Sequence, residues 1–83
     1  MQIELSKQAS KVIIKLDKPT KQRIKGALKK IPDGVIVALQ GSNGSFRLRV
    51  GSWRIIFSYV MILNEKAILV EKIDSRGGVY KGV

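Results

Sequence analysis

The sequence predicts a single α+β domain over residues 1–83, with a mostly antiparallel sheet and a helical hairpin packed on one of its faces. Three observations carry this reading. Two segments near the N-terminus repeat apolar residues at helical spacing. The stretch Phe46–Tyr59, FRLRVGSWRIIFSY, alternates like two strands about a two-residue turn. Ala67–Ile73 is rich in Ile, Leu and Val. Helices followed by a run of strands place the helices on one side of an antiparallel sheet, in the order β-α-α-β-β-β.

Gln2–Leu5 reads as a short first strand, with Ile3 and Leu5 pointing one way. Ser6 is placed to N-cap a helix over Lys7–Leu16. Ala9, Val12, Ile13 and Leu16 form its apolar stripe, and Lys7, Lys11 and Lys15 a second, basic stripe. Pro19 suits the first turn of a second helix that runs to about Ile31. Ile24, Ala27, Leu28 and Ile31 line its core side; Lys21, Lys25 and Lys29 line another. Pro32-Asp33-Gly34 ends it. Each lysine stripe could track phosphates or simply be a solvated helix face. Val35–Leu39, VIVAL, is too short to type by period and is read as extended. Gly41–Gly44 is a loop, and Asn64-Glu65 marks a turn before Ala67–Ile73, which should lie inside the sheet. Gly77-Gly78 makes a bend that can bring Arg76 and Tyr80 near each other at the end of the sheet.

The hairpin organises the rest. Gly51 comes first in its turn, which is the type II′ signature, because glycine takes a positive φ at little cost. That turn sets Val50 opposite Trp53, Arg49 opposite Arg54, Leu48 opposite Ile55 and Arg47 opposite Ile56. One face then collects Leu48, Val50, Trp53, Ile55, Phe57 and Tyr59, enough to pack on helices. The other collects Arg47, Arg49 and Arg54. Like charges set opposite each other destabilise a sheet, so this cluster is either a site for a polyanion or a solvated outer face whose arginines merely lie on the surface. Trp53, Phe46, Phe57 and Tyr59 read as core rather than as base-stacking platforms.

Composition narrows the chemistry. Sixteen Lys and Arg against six Asp and Glu give a net charge of +10, which favours nucleic acid, an acidic protein or an anionic membrane surface. Internal pairing cannot neutralise it. There is no cysteine and no histidine, which excludes disulfides, thiolate metal sites and Ser-His-Asp or Cys-His catalysis. No carboxylates form an evident acid/base pair, and no phosphate-binding glycine loop appears. No cofactor or metal is expected. No apolar run nears the length of a membrane span, and no leader is evident, so the cytoplasm is the expected compartment. Arg47, Arg49, Arg54 and Arg76, with the phenol of Tyr80, would suit a phosphate-centred transition state, because guanidinium forks match phosphate oxygens.

LQG at Leu39–Gly41, FRLRVGSWRIIF at Phe46–Phe57 and RGGVYK at Arg76–Lys81, in this order and spacing, resemble the RelE-type toxins of the RelE/ParE superfamily from type II toxin–antitoxin systems. The resemblance covers essentially the whole chain. It implies a RelE-like fold and a ribosome-dependent mRNA endoribonuclease, an mRNA interferase that inhibits translation. Its partners would be mRNA in the ribosomal A site, ribosomal RNA and a cognate antitoxin with an acidic or amphipathic segment. The message's own 2′-hydroxyl attacks the adjacent phosphorus without a metal. On this chain, Arg47 and Arg49 take the two basic positions of the first hairpin strand. Arg54 would stabilise the charged phosphoryl group, Arg76 is the basic residue near the C-terminus, and Tyr80 would orient or stack on a nucleotide. Some family members carry a lysine on that first strand. Arginine stays protonated and is a poor base, so the base here would be Tyr80, a lysine elsewhere, or nothing beyond alignment and charge. Two other functions fit the same features: a ParE-like gyrase-inhibiting toxin, and a non-enzymatic RNA-binding module.

Overall fold

The structure, a computed structural model, describes residues 2–31, 33, 35–38 and 44–75. Its elements are β1 (Gln2–Leu5), α1 (Lys7–Lys15), α2 (Lys18–Lys29), β2 (Val35–Ala38), β3 (Ser45–Val50), β4 (Trp53–Ile62) and β5 (Glu65–Ser75). They build a mixed five-stranded sheet in the order β1-β5-β4-β3-β2, with both helices on one face. Among the described residues only the β1–β5 pair is parallel. The α+β class and the helical pair on one sheet face agree with the sequence reading. The extended VIVAL segment is a full strand over Val35–Ala38, paired antiparallel with β3 at the sheet edge, so the sheet has one strand more than β-α-α-β-β-β.

Each helix begins where its capping residue places it. Ser6 Oγ accepts from the Ala9 N–H at 3.1 Å, and Asp17 accepts from the Thr20 N–H at 3.3 Å. Ala9 and Ile13 of α1, then Ile24 and Leu28 of α2, are buried at helical spacing. Lys7, Lys11 and Lys15 are exposed, as are Lys25 and Lys29, while Lys21 at the start of the second basic stripe is half-buried. From the sheet, Leu48, Ile55, Phe57, Ile68, Val70 and Ile73 complete the core. Phe46, Phe57 and Tyr59 pack as a triangle with ring centroids 5.6–5.7 Å apart, and Trp53 also packs on the core. These four aromatic residues thus belong to the core or pack against it, as their alternation implies.

β5 carries one irregularity. Ile56 pairs with Lys72 but Phe57 pairs with Val70, so Glu71 is an extra residue, a β-bulge. The bulge lets Ile68, Val70 and Ile73 all face the helices although their spacing breaks the two-residue period. β1 ends at Leu5, level with Val70, and beyond it α1 takes over as the neighbour of β5. The Ser6 N–H donates to the Val70 carbonyl and Ser6 Oγ to that of Glu71, at 2.9 and 2.7 Å. The Gln8 amide bonds both backbone groups of Ile73, at 3.1 and 3.0 Å. The first turn of α1 thus supplies the partners that a longer β1 would have supplied.

At the other end of β4, the turn is Leu63-Asn64, one residue earlier than read from sequence, with both residues at positive φ. Ile62 and Glu65 close it. This is the backbone of a type I′ hairpin.

Ile24 is fully buried between α2 and the sheet. Ile24→Ala is expected to lower the unfolding free energy by about 2–5 kcal/mol, measured by urea denaturation. Asp17 offers a pH test. Its carboxyl is held below the ordinary carboxylate range by hydrogen bonds from Thr20, the side chain first and the backbone second. A lowered folded value means that the cap contributes fully above the unfolded value, about 3.9, and is lost as pH falls through the folded one. Asp17→Ala should therefore melt lower than the parent at neutral pH, and that gap should close as the pH drops below about 4.

Candidate functional site: an arginine rung on the open sheet face

The turn between β3 and β4 has Gly51 at φ +60° while Ser52 is not at positive φ, the type II′ pattern. It gives the register expected from sequence: Val50 opposite Trp53, Arg49 opposite Arg54, Leu48 opposite Ile55, Arg47 opposite Ile56. In a two-residue hairpin the pair flanking the turn exchanges hydrogen bonds. The next pair, Arg49 and Arg54, is then a non-hydrogen-bonded one, with Cα atoms only about 4.5 Å apart.

Arg54 also stands opposite Asp74 of β5. Arg49, Arg54 and Asp74 therefore form one rung across three strands, on the sheet face away from the helices. Arg47, Ile56 and Lys72 form the next. Asp74 accepts from Arg54 Nε at 3.3 Å and lies 3.7 Å from Lys72 Nζ. Counting the two rungs, four cations (Arg47, Arg49, Arg54 and Lys72) less one carboxylate (Asp74) leave a net +3. Arg47 and Arg49 make no ion pair among the described residues. The hydrogen bond to Asp74 comes from Arg54 Nε, and among the described residues no side-chain hydrogen bond engages its terminal nitrogens. A cavity of about 170 Å³ opens here, lined by Arg47, Arg49, Gly51, Ser52, Trp53 and Arg54.

Three of the five residues singled out from sequence are thus brought together: Arg47 and Arg54, half-buried, and Arg49, exposed. Arg76 and Tyr80 lie outside the described residues. Glu71, on the bulge, accepts from Ser45 Oγ at 3.3 Å, and Ser45 is two residues before Arg47. Two cations were missed by sequence reasoning. Lys72 joins the cluster because the bulge reverses the faces of β5 beyond Glu71. Strict alternation would have put Lys72 beside Val70 in the core. The break in the apolar period at Ile68, Val70 and Ile73 was the available signal. Arg23 is the other. From α2 its guanidinium reaches over the hairpin turn, with Nη2 3.1 Å from where a Cβ on Gly51 would stand. No sequence period relates α2 to that turn.

One glycine of α2 has no role in packing. Gly26 lies mid-helix, where glycine costs about 1 kcal/mol relative to alanine. Among the described residues nothing lies within 4 Å of the place its Cβ would occupy.

The fold and this face define a RelE-like α+β domain with a cationic cluster on its open sheet surface. No family model matches the chain. Over 46 residues, 55% of its length, it is 37% identical to the protein named "Putative toxin RelE1" of Methanocaldococcus jannaschii, and it spans about half, 49%, of that relative. Its fold is similar to the archaeal RelE-RelB complex from Pyrococcus horikoshii OT3, with a TM-score of 0.67 and 25% identity over 92% of this chain and 94% of that one. It is also similar to the RelB-RelE antitoxin-toxin complex from Methanococcus jannaschii, with a TM-score of 0.69 over 95% of this chain and 96% of that one. At 17% identity this second likeness is one of fold alone. The chain therefore has the RelE-like fold, and its resemblance to RelE-type toxins extends over sequence and structure. No helix among the described residues is long and apolar enough to cross a membrane.

Asp74 orients Arg54 but does not hold the fold together, because the pair is about one third exposed on each side. Asp74→Asn should change the unfolding free energy by less than about 1 kcal/mol. The same variant should bind a polyanion such as heparin more tightly than the parent, measured by salt elution from a heparin column.

Proposed function

We propose that the chain is the toxin of a type II toxin–antitoxin system, and that it cleaves mRNA in the ribosomal A site. The observation that carries the reading is the Arg49–Arg54 rung, flanked by Arg47, on an open face whose charges do not cancel. A diester held there would have the 2′-hydroxyl of the message attack the adjacent phosphorus. The P–O5′ bond breaks, the 2′-hydroxyl gives its proton to solvent and the departing O5′ takes one up from solvent, leaving a 2′,3′-cyclic phosphate and a 5′-hydroxyl. Charge grows on the non-bridging oxygens during this step. Arg54 is fixed in direction by Asp74 through Nε and meets that charge with its terminal N–H groups. Arg47 and Arg49 bind the flanking phosphate oxygens and bring the strand into line. Arg76 and the Tyr80 phenol would act at the same diester from the C-terminal segment. None of the arginines serves as base, since each stays protonated.

The partner reading follows from the same charge. A net +10 chain attracts an acidic or amphipathic antitoxin segment, and the solved relatives are RelE-RelB complexes. An antitoxin laid over the open face would cover the arginines and block the message.

The test uses ribosomes stalled on a defined message. The purified protein should cut the A-site codon, and Arg54→Ala should cut it about 10²–10³-fold more slowly with an unchanged melting curve. Uncut message with folded protein would refute the nuclease. Growth inhibition that survives Arg54→Ala would point instead to a gyrase-directed toxin.

A further inference from the structure

Beside the arginine rung, α2 and β3 enclose a groove of about 390 Å³. Arg23, Gly26, Ala27 and Lys30 border it from the α2 side, and Leu48 and Arg49 from the β3 side. Arg49 also borders the cavity of the arginine rung, so one residue of β3 lines both the groove on the helix side and the cavity on the open side. Arg23, Gly26 and Lys30 share one helical face by their spacing, with Arg23 and Lys30 about 10 Å apart along the axis. The groove thus has cations at both ends and apolar surface between them. At its middle lies the bare backbone of Gly26, where the chain itself places nothing among the described residues.

A ribonucleotide in a strand is complementary to this pattern: a phosphate on either side of the ribose, and a base whose flat faces are apolar. We propose that the groove is a second subsite for single-stranded RNA, taking the nucleotide next to the scissile phosphate. This rests on the reading of the chain as an RNA-cleaving protein, and it adds where the strand goes after it leaves Arg49. The strand rounds the hairpin turn on the outer side of the Arg23 guanidinium, which itself lies against Gly51, and lays one sugar or base on Gly26. Arg23 and Lys30 take the phosphates on either side. Asp33 is the carboxylate on the rim. It repels phosphate and accepts from base amino groups, so the base edge faces it. Gly26 leaves room for the strand to approach the helix, which any side chain would close.

The experiment compares 2′-O-methyl oligonucleotides, which lack the attacking hydroxyl, of two and six nucleotides. Affinities are read by fluorescence anisotropy at low salt. The parent should bind the hexanucleotide at least tenfold more tightly than the dinucleotide. Gly26→Glu and Arg23→Ala should each remove at least fivefold of that gain while leaving dinucleotide affinity within twofold. Gly26→Glu replaces a poor helix former at an open position, so its melting temperature should not fall. A length gain unchanged in both variants would overturn the subsite, while ribosomal cleavage that still depends on Arg54 would leave the nuclease reading standing. A parent that binds neither oligonucleotide would overturn the subsite as well. Loss of an acidic protein partner in Gly26→Glu, with RNA binding intact, would assign the groove to that partner and overturn the proposal.

Discussion

The β3–β4 register depends on a single turn. Gly51 sits at φ +60° with an arginine side chain 3.1 Å from its missing Cβ. The dihedral strains any L side chain, and a Cβ there would also push the flexible Arg23 guanidinium back by a few tenths of an ångström. A slip of one residue would turn every side chain of one strand to the opposite face. If β4 slipped, Ile55 and Phe57 would leave the core and Arg54 would enter it; if β3 slipped, Leu48 would leave and Arg49 enter. Burial of large apolar side chains is worth about 1.5–3 kcal/mol each, and burial of unpaired charge costs more. The same force that builds the core therefore sets the arginines side by side.

A second constraint acts from β5. The bulge at Glu71 brings Val70 and Ile73 to one face and puts Lys72 and Asp74 on the other. A bulge interrupts pairing, and here it falls where β1 has already ended. Ser6 and Gln8 of α1 meet the freed backbone groups with their side chains. Docking of α1 is thus coupled to the placing of Asp74, and through Asp74 to the direction of Arg54. A change at Gln8, on the helix side of the sheet, acts on the arginine face through backbone rather than through contact.

Much of this was legible in the sequence, for identifiable reasons. Alternation and one Gly-Ser turn sufficed for the hairpin, its register and both of its faces, because each is a local property. Helical spacing gave the buried stripes of α1 and α2, and the Ser6 cap and Pro19 in a first turn gave their starts, while the Asp17 cap was not read. Val35–Ala38 was less legible because four apolar residues have no distinctive period; its pairing with β3 decides it. The bulge was visible only as a broken alternation, and without it Lys72 went unnoticed. Arg23 and Gly26 were illegible, since their meaning lies in how α2 sits against β3. The pairing of Arg54 with Asp74 is likewise a matter of strand order, which no local pattern reveals.

That pairing bears on how an exposed cationic cluster can be both stable and useful. Three arginines and a lysine on neighbouring rungs repel one another, at a cost of a few tenths to about 1 kcal/mol for each directly opposed pair. Full neutralisation would remove the cost together with the attraction for an anion. Asp74 does neither. It is shared between Arg54 and Lys72, touches Arg54 at Nε alone, and leaves the two rungs with net positive charge. Being about one third exposed, it contributes little binding energy of its own. Its effect is chiefly on direction: a guanidinium tethered at Nε has fewer orientations to lose when a phosphate arrives. Less entropy is then given up at the moment of binding, and more of the charge–charge attraction is left for the reacting phosphoryl group.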